Sequence, residues 1–147
     1  MKVYLDLCVL NRPFDFQGQE RISLETSIFI YILEKIERDI HELVISDAVL
    51  YENEKNPDDQ RKMRIKSYLS LAKSCVNIDA EDIKRAQFIR TFGFSGIDAL
   101  HITMAEKAKV DYYITCDDNM VKIYRKHQKV FRIPIISIMD FISLEVK

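Results

Sequence analysis

Four acidic residues stand close to the ends of apolar or helical segments. Asp6 directly follows the apolar run of residues 2–5, and Asp117 comes just past the run of residues 112–115. Glu52 and Asp98 each belong to a segment with helical spacing. A buried lone carboxylate is costly to ionise, and converging carboxylates repel one another. A hard divalent cation, Mg²⁺ or Mn²⁺, resolves both problems because it prefers oxygen ligands and suits phosphate substrates.

The elements that must position these acids are predicted to alternate along the chain. The predicted strands span residues 2–5, 43–45, 75–78 (a short strand or an extended connection), 112–115 and 135–136. Helical spacing predicts helices at about 19–38, through Glu52, 60–73, 80–92, 97–109, 119–126 and after Ser137. The candidate N-caps are Ser46 or Asp47, Asp58 or Asp59, Asp79, Asp98 and Ser137. Residues 7–18 contain Asn11, Pro13 and Gly18 and are predicted as a loop.

This alternation indicates parallel pairing, since neighbouring parallel strands need a crossover connection. The predicted fold class is α/β, a three-layer α/β/α sandwich with a short, mostly parallel central sheet, formed by a single domain over residues 1–147. In open sheets of this kind, ligands bind beyond the carboxyl ends of the strands. All four acids are expected near that edge.

Composition narrows the class of protein further. Hydrophobic residues make up 48% and charged residues 31% of the chain, which supports a packed core. No apolar run approaches the ~18 residues of a membrane span, and Asp6 comes too early for a signal peptide; a cytoplasmic protein is predicted. Three cysteines without CxxC spacing argue against a zinc site or a disulfide framework. The net charge of −1 argues against strong non-specific binding of nucleic acid.

Four motifs in order resemble the PIN-domain family over most of the chain. They are VYLDLCVL at residues 3–10, VISDAVLYE at 44–52, GIDALHITMA at 96–105 and YITCD at 113–117. The closing stretch at 133–141 is similar as well. Rival α/β classes fit less well: a phosphoacceptor domain has paired acids after its first strand, and a haloacid-dehalogenase-type phosphatase has Asp-x-Asp where this chain has Cys8.

The resemblance implies a metal-dependent endoribonuclease that uses one or two Mg²⁺ or Mn²⁺ ions. Asp6 and Asp98 would be the main ligands of the first ion, and Glu52 and Asp117 would complete the site directly or through water. Thr115 would hydrogen-bond a carboxylate or a water, and Asp118 is the alternate to Asp117.

One departure from the family pattern concerns residues 7 and 8. Many members have Thr-Asn or Ser-Ser after the first Asp, where this chain has Leu7 and Cys8. The small polar groups that would support Asp6 are therefore expected to be missing, since a thiol donates only weakly. Cys8 is either a small core residue or a redox-sensitive group, and a weakened enzyme is one reading.

Several other residues have two readings each. The cations Arg12, Arg61, Arg64, Lys122 and Arg125 either bind RNA phosphates or belong to ordinary charged faces. His101, three residues after Asp98, either orients that acid or is a packed, hydrogen-bonded histidine. Glu25 is either a solvated helix position or an accessory to the site.

The resemblance also implies a biological role. Many small PIN proteins are VapC-like ribonuclease toxins of toxin–antitoxin pairs, commonly homodimers held inactive by a small antitoxin protein. The expected partners are therefore an RNA substrate, an antitoxin and a second copy of the chain. The alternative is a degenerate PIN fold that binds RNA or acts as a scaffold without catalysis.

Overall fold

In the computed structural model, which describes residues 1–146, a five-stranded sheet forms the centre of the protein. Its strands are β1 (Lys2–Leu5), β2 (Glu42–Ser46), β3 (Ser74–Val76), β4 (Tyr112–Thr115) and β5 (Ile135–Ser137). Their order is β3-β2-β1-β4-β5, and all four pairings are parallel. Val3, Tyr4 and Leu5 are all buried although they alternate between faces, so helices cover both sides of the sheet.

The crossovers between the strands are helical. The helices are α1 (Leu7–Asn11), α2 (Glu20–Glu37), α3 (Asp47–Glu54), α4 (Asp59–Leu69), α5 (Ala80–Arg90), α6 (Gly96–Ala108), α7 (Asp118–Lys126) and α8 (Ile138–Glu145). Helix α5 packs against α6, and α2 packs against α8. The predicted three-layer α/β/α arrangement is confirmed. No helix within residues 1–146 combines the length and the apolar character that a membrane span requires.

Residues 7–18 differ from the prediction of a loop. Helix α1 begins directly after β1, and a 3-10 turn follows at Arg12–Phe14. Leu7, Val9 and Leu10 are buried, and this apolar face drives the helix. The prediction gave too much weight to Asn11 and Pro13, although proline is tolerated in a first helical turn.

Helix starts follow local chemistry that is readable from the sequence. Asp79 and Ser137 cap α5 and α8 as predicted, each accepting from a backbone N–H. Of the two candidates before α4, Asp58 is the cap rather than Asp59. Of the two candidates before α3, Ser46 is the cap rather than Asp47.

Strand order determines where a ligand site can form. The chain leaves β1 towards β2 on one side and returns later to place β4 on the other side. The carboxyl ends of β1 and β4 are therefore neighbours at the topological switch point, where ligands bind in sheets of this type.

Candidate metal centre

Asp6 lies at that switch point, between the end of β1 and the start of α1. The residue is buried, and the Thr115 hydroxyl donates to its Oδ2 at 2.8 Å. Burial raises the pKa of the Asp6 carboxyl, against the opposing effects of the neighbouring His101 and then of that hydrogen bond. The Thr115 hydroxyl is neutral, so Asp6 has no arginine or lysine among the described residues that donate to its carboxylate.

Asp98 lies in the first turn of α6 and is half-buried. Its pKa is raised, first by burial and then by the negative charges of Asp6 and Asp117. Asp98 is not the helix cap that its position allowed: the Ser95 hydroxyl is the cap and accepts from the Asp98 N–H at 3.2 Å. The Asp98 carboxylate is therefore not engaged in capping α6.

Glu52 reaches the same region from α3. Its Oε1 lies 2.8 Å from Nε2 of His101. Asp6, Glu52 and His101 each offer a potential ligand atom, and these atoms lie within 4.8 Å of one another. Elements that are distant in sequence thus bring Glu52 to Asp6.

Asp117 is the cap of α7, and Asp118 follows it. The Asp117 Oδ1 accepts from the N–H groups of Asn119 and Met120 at 2.9 and 3.3 Å. Both Asp118 oxygens accept from Arg21, at 2.6 and 2.7 Å, and this interaction lowers the Asp118 pKa. Because Asp118 is engaged by an arginine, Asp117 remains the preferred fourth acid.

Cys8 contacts Thr115 rather than occupying the site. Its sulfur lies 3.5 Å from the Thr115 hydroxyl and accepts from the Cys116 N–H at 3.3 Å. Interaction with Cys116, together with burial, raises the pKa of the Cys8 thiol, so the thiol form is favoured. Thr115, which the resemblance implied would hydrogen-bond a carboxylate or a water, supplies polar support to Asp6 from a neighbouring strand.

Glu25 and His101 are both deeply buried. Glu25 accepts from Arg12 at 2.9 Å and from Arg21 at 3.4 Å, so the solvated reading is wrong. The signal available in the sequence was its position on the same helix face as the core residues Ile28, Phe29 and Ile32. His101 hydrogen-bonds Tyr4 and Glu52 rather than orienting Asp98.

The predicted RNA-contacting cations fall into two groups. Arg12 pairs with Asp15 and Glu25, and Arg61 donates to Asp15 and to the Phe14 carbonyl. These two arginines hold together the segment after α1. The remaining cations are exposed at the surface: Arg64 on α4, and Lys122 and Arg125 on α7, where Arg125 pairs with Asp140 at 2.8 Å.

The residues present fit a hard, hydrated divalent cation. The four carboxylates offer oxygen ligands, which Mg²⁺ and Mn²⁺ prefer. The hydroxyl of buried Tyr113 has no hydrogen-bond partner among the described residues, and its pKa is raised by burial and next by the charge of Asp6. A buried hydroxyl without a partner is a group that a bound water or ion could satisfy.

Comparison with known proteins supports the fold assignment. No protein-family model and no curated protein sequence matches the chain. The fold is similar to that of a chain in VapBC2 from Rickettsia felis, solved bound to a DNA fragment from the promoter. The TM-score is 0.62 at 14% sequence identity, and the similarity covers 93% of this chain and 98% of that one.

A second similar structure is FitAcB from Neisseria gonorrhoeae. Its TM-score is 0.57 at 16% identity, again over 93% of this chain and 98% of that one. Identities this low establish the fold alone. Together with the motifs and the strand order, they show that the chain has the PIN-like three-layer α/β/α fold.

Proposed function

We propose that the chain is a metal-dependent endoribonuclease whose metal ligands are Asp6, Asp98, Glu52 and Asp117. The observation that carries the proposal is buried Asp6 at the switch point, where it meets further carboxylates and no positively charged side chain among its hydrogen-bond partners. Such a site favours a divalent cation, and an edge of this kind is where α/β sheets bind ligands.

Each residue has a distinct role in this proposal. Asp6 and Asp98 hold the first ion, and Glu52 and Asp117 hold it or a second ion directly or through water. Thr115 keeps the Asp6 carboxylate oriented by donating to its Oδ2. A bound Mg²⁺ or Mn²⁺ supplies Lewis-acid stabilisation of the scissile phosphate and lowers the pKa of a coordinated water.

The RNA strand must approach a site rich in negative charge. The exposed cations Arg64, Lys122 and Arg125 lie on α4 and α7, and α7 begins directly after Asp117. We assign them to phosphate binding. Arg12 and Arg61 hold the segment after α1 through their pairs with Asp15.

A cleavage assay tests the nuclease and the site together. Labelled single-stranded and structured RNAs are incubated with the chain in Mn²⁺, Mg²⁺ or EDTA, beside the variants Asp6→Asn and Asp98→Asn. Asp111→Asn is the matched control, since Asp111 is exposed at the opposite, amino end of β4. Metal-dependent cleavage by the wild type and the control alone is expected. Cleavage that survives in Asp6→Asn and Asp98→Asn would sink the assignment, and failure to cleave or bind metal would favour a scaffold.

The proposed cellular role is that of a toxin partnered by a small antitoxin protein, with the chain acting as a homodimer in the cytoplasm. Support comes from the PIN-like motifs and from the fold shared with the VapBC2 and FitAcB structures. Induced expression of the wild-type chain in a bacterial host is expected to arrest growth. Expression of the Asp111→Asn control is expected to do the same. Arrest that persists with Asp6→Asn would contradict a toxin that acts through this site.

A further inference from the structure

A chain of buried polar groups runs from β2 to the candidate metal centre. Ser46 Oγ accepts from the Val49 N–H at 3.4 Å and lies 2.6 Å from the Tyr4 hydroxyl. That hydroxyl lies 2.8 Å from Nδ1 of His101, whose Nε2 lies 2.8 Å from Glu52 Oε1. Ser46, Tyr4 and His101 are completely buried, so every hydrogen in the chain needs a partner within it.

The partners determine where the hydrogens lie. An ionised carboxylate only accepts, so the His101 Nε2 carries a hydrogen and donates it to Glu52. Ser46 already accepts from a backbone N–H, and its own hydrogen donates to the Tyr4 oxygen. The Tyr4 hydrogen then donates to Nδ1 of His101, and every group is satisfied.

The opposite direction of donation, from Tyr4 to Ser46, is less favourable. If Nδ1 also carried a hydrogen, Tyr4 would have to donate to Ser46, whose own hydrogen would then have no acceptor among the described residues. The arrangement with an unprotonated Nδ1 is the one in which no buried donor is lost.

We propose that His101 is a positioning residue for Glu52 and not itself a metal ligand, with its tautomer set by Tyr4 and Ser46. The Nε2 lone pair that a metal would need is used for the N–H bond that holds Glu52 Oε1. The second Glu52 oxygen then remains for the cation. The purpose of this arrangement rests on the proposed nuclease function, while the arrangement itself does not.

NMR of the metal-free, full-length chain tests the tautomer directly. Among the three histidines, the His101 ring signals are assigned by comparison with His101→Gln. At neutral pH the ¹⁵N shifts are expected to show a protonated Nε2 and an unprotonated Nδ1, and the Nε2–H signal is expected to persist after Mg²⁺ is added. A protonated Nδ1, or loss of the Nε2–H on adding Mg²⁺, would overturn the proposal.

Calorimetric titration with Mn²⁺ tests the positioning role. Tyr4→Phe is expected to weaken Mn²⁺ binding about 10-fold, the range seen when groups that orient metal ligands are removed. Tyr112→Phe is the matched control. Tyr113 stacks on Tyr4, and the adjacent Tyr112 points to the opposite face of the sheet, where it packs on Phe141. His101→Gln, whose amide can still donate to Glu52, is expected to bind Mn²⁺ more tightly than His101→Leu.

The readouts separate this proposal from the nuclease assignment. If folded Tyr4→Phe and His101→Leu bind Mn²⁺ as the wild type does, the positioning role is wrong whatever happens to RNA. If the tautomer and the Mn²⁺ affinities agree with expectation but no RNA is cleaved, the positioning role stands and the proposed function fails.

Discussion

Buried carboxylates in two regions of the protein have very different partners. Glu106, 6% exposed, receives two hydrogen bonds from Arg85 and one from the Arg132 N–H. Glu25, 1% exposed, receives hydrogen bonds from Arg12 and Arg21. Asp6, also 6% exposed, receives its side-chain hydrogen bond from the neutral hydroxyl of Thr115.

The difference shows what each region is built for. Arginine neutralises the buried acid within the protein at Glu25 and Glu106, which suits a structural role. At the candidate site, burial raises the pKa of both Asp6 and Asp98, and the negative charge of Asp6 raises the pKa of Asp98 further. A deficit of positive charge at one buried acid, in a chain that supplies arginine to the others, is the physical reason to expect a cation there.

Breaking the structural pair gives the largest expected effect. Arg85→Ala leaves Glu106 buried without its cation and is expected to destabilise the fold by about 3–5 kcal/mol. Thermal unfolding followed by circular dichroism measures the loss, and Mn²⁺ affinity at a temperature where the variant is folded should not change. A stability near that of the wild type would show that Glu106 does not depend on Arg85.

Removing a proposed ligand acts on catalysis instead. Asp98→Asn is expected to lower metal-dependent RNA cleavage on the order of 100-fold, since Lewis-acid stabilisation is worth several kcal/mol. The variant should also lose the rise in Tm that Mn²⁺ gives the wild type. An unchanged Mn²⁺-induced shift would place the ion elsewhere.

In the metal-free protein, replacing a proposed metal ligand is expected to stabilise the fold. Because burial raises the folded-state pKa of Asp6, the acid favours the folded state below its unfolded pKa, and this stability is lost as pH rises through the folded pKa. Asp6→Asn is therefore expected to raise the Tm at pH 7.5 in EDTA. Each kcal/mol gained in the free energy of unfolding corresponds to a rise of about 2–4 °C.

The control for this prediction is pH itself. At about pH 4, close to the unfolded pKa of an aspartate, the advantage of Asp6→Asn should shrink. A variant that is less stable than the wild type at both pH values would mean that the Asp6 charge is compensated in the metal-free protein.

The smallest effect is expected at the orphan hydroxyl. Tyr113→Phe removes a buried hydroxyl that has no partner among the described residues, so the Tm of the metal-free protein should change little or rise. If a water bound to the metal accepts a hydrogen bond from the Tyr113 hydroxyl, the variant should show a smaller Mn²⁺-induced rise in Tm than the wild type. Marked destabilisation in EDTA would indicate that the hydroxyl already has a partner.

Local signals account for the parts of the fold that the sequence predicted well. Short apolar runs marked the strands, and Asp58, Asp79 and Ser137 marked helix starts, because these signals depend on neighbouring residues alone. The helix over Leu7–Asn11 was missed because loop-type residues nearby outweighed its buried face.

The environment of the site depends on contacts that no local pattern reveals. The support of Asp6 by Thr115 and the contact of Glu52 with His101 join separate elements of the fold. The positions of the acids relative to the strands were readable from the sequence, and the family resemblance implied a hydrogen bond from Thr115 to a carboxylate or a water. Which acid Thr115 contacts, and that His101 contacts Glu52, required the strand order.

The hydrogen bond between Thr115 and Asp6 joins residues 109 positions apart. A nascent chain that has emerged only as far as α5 therefore has Asp6 and Glu52 but lacks Asp98, Thr115 and Asp117. The carboxylate cluster forms only after β4 has left the ribosome and docked beside β1. Synthesis itself thus delays assembly of the cluster until the chain has been made past residue 117 of 147.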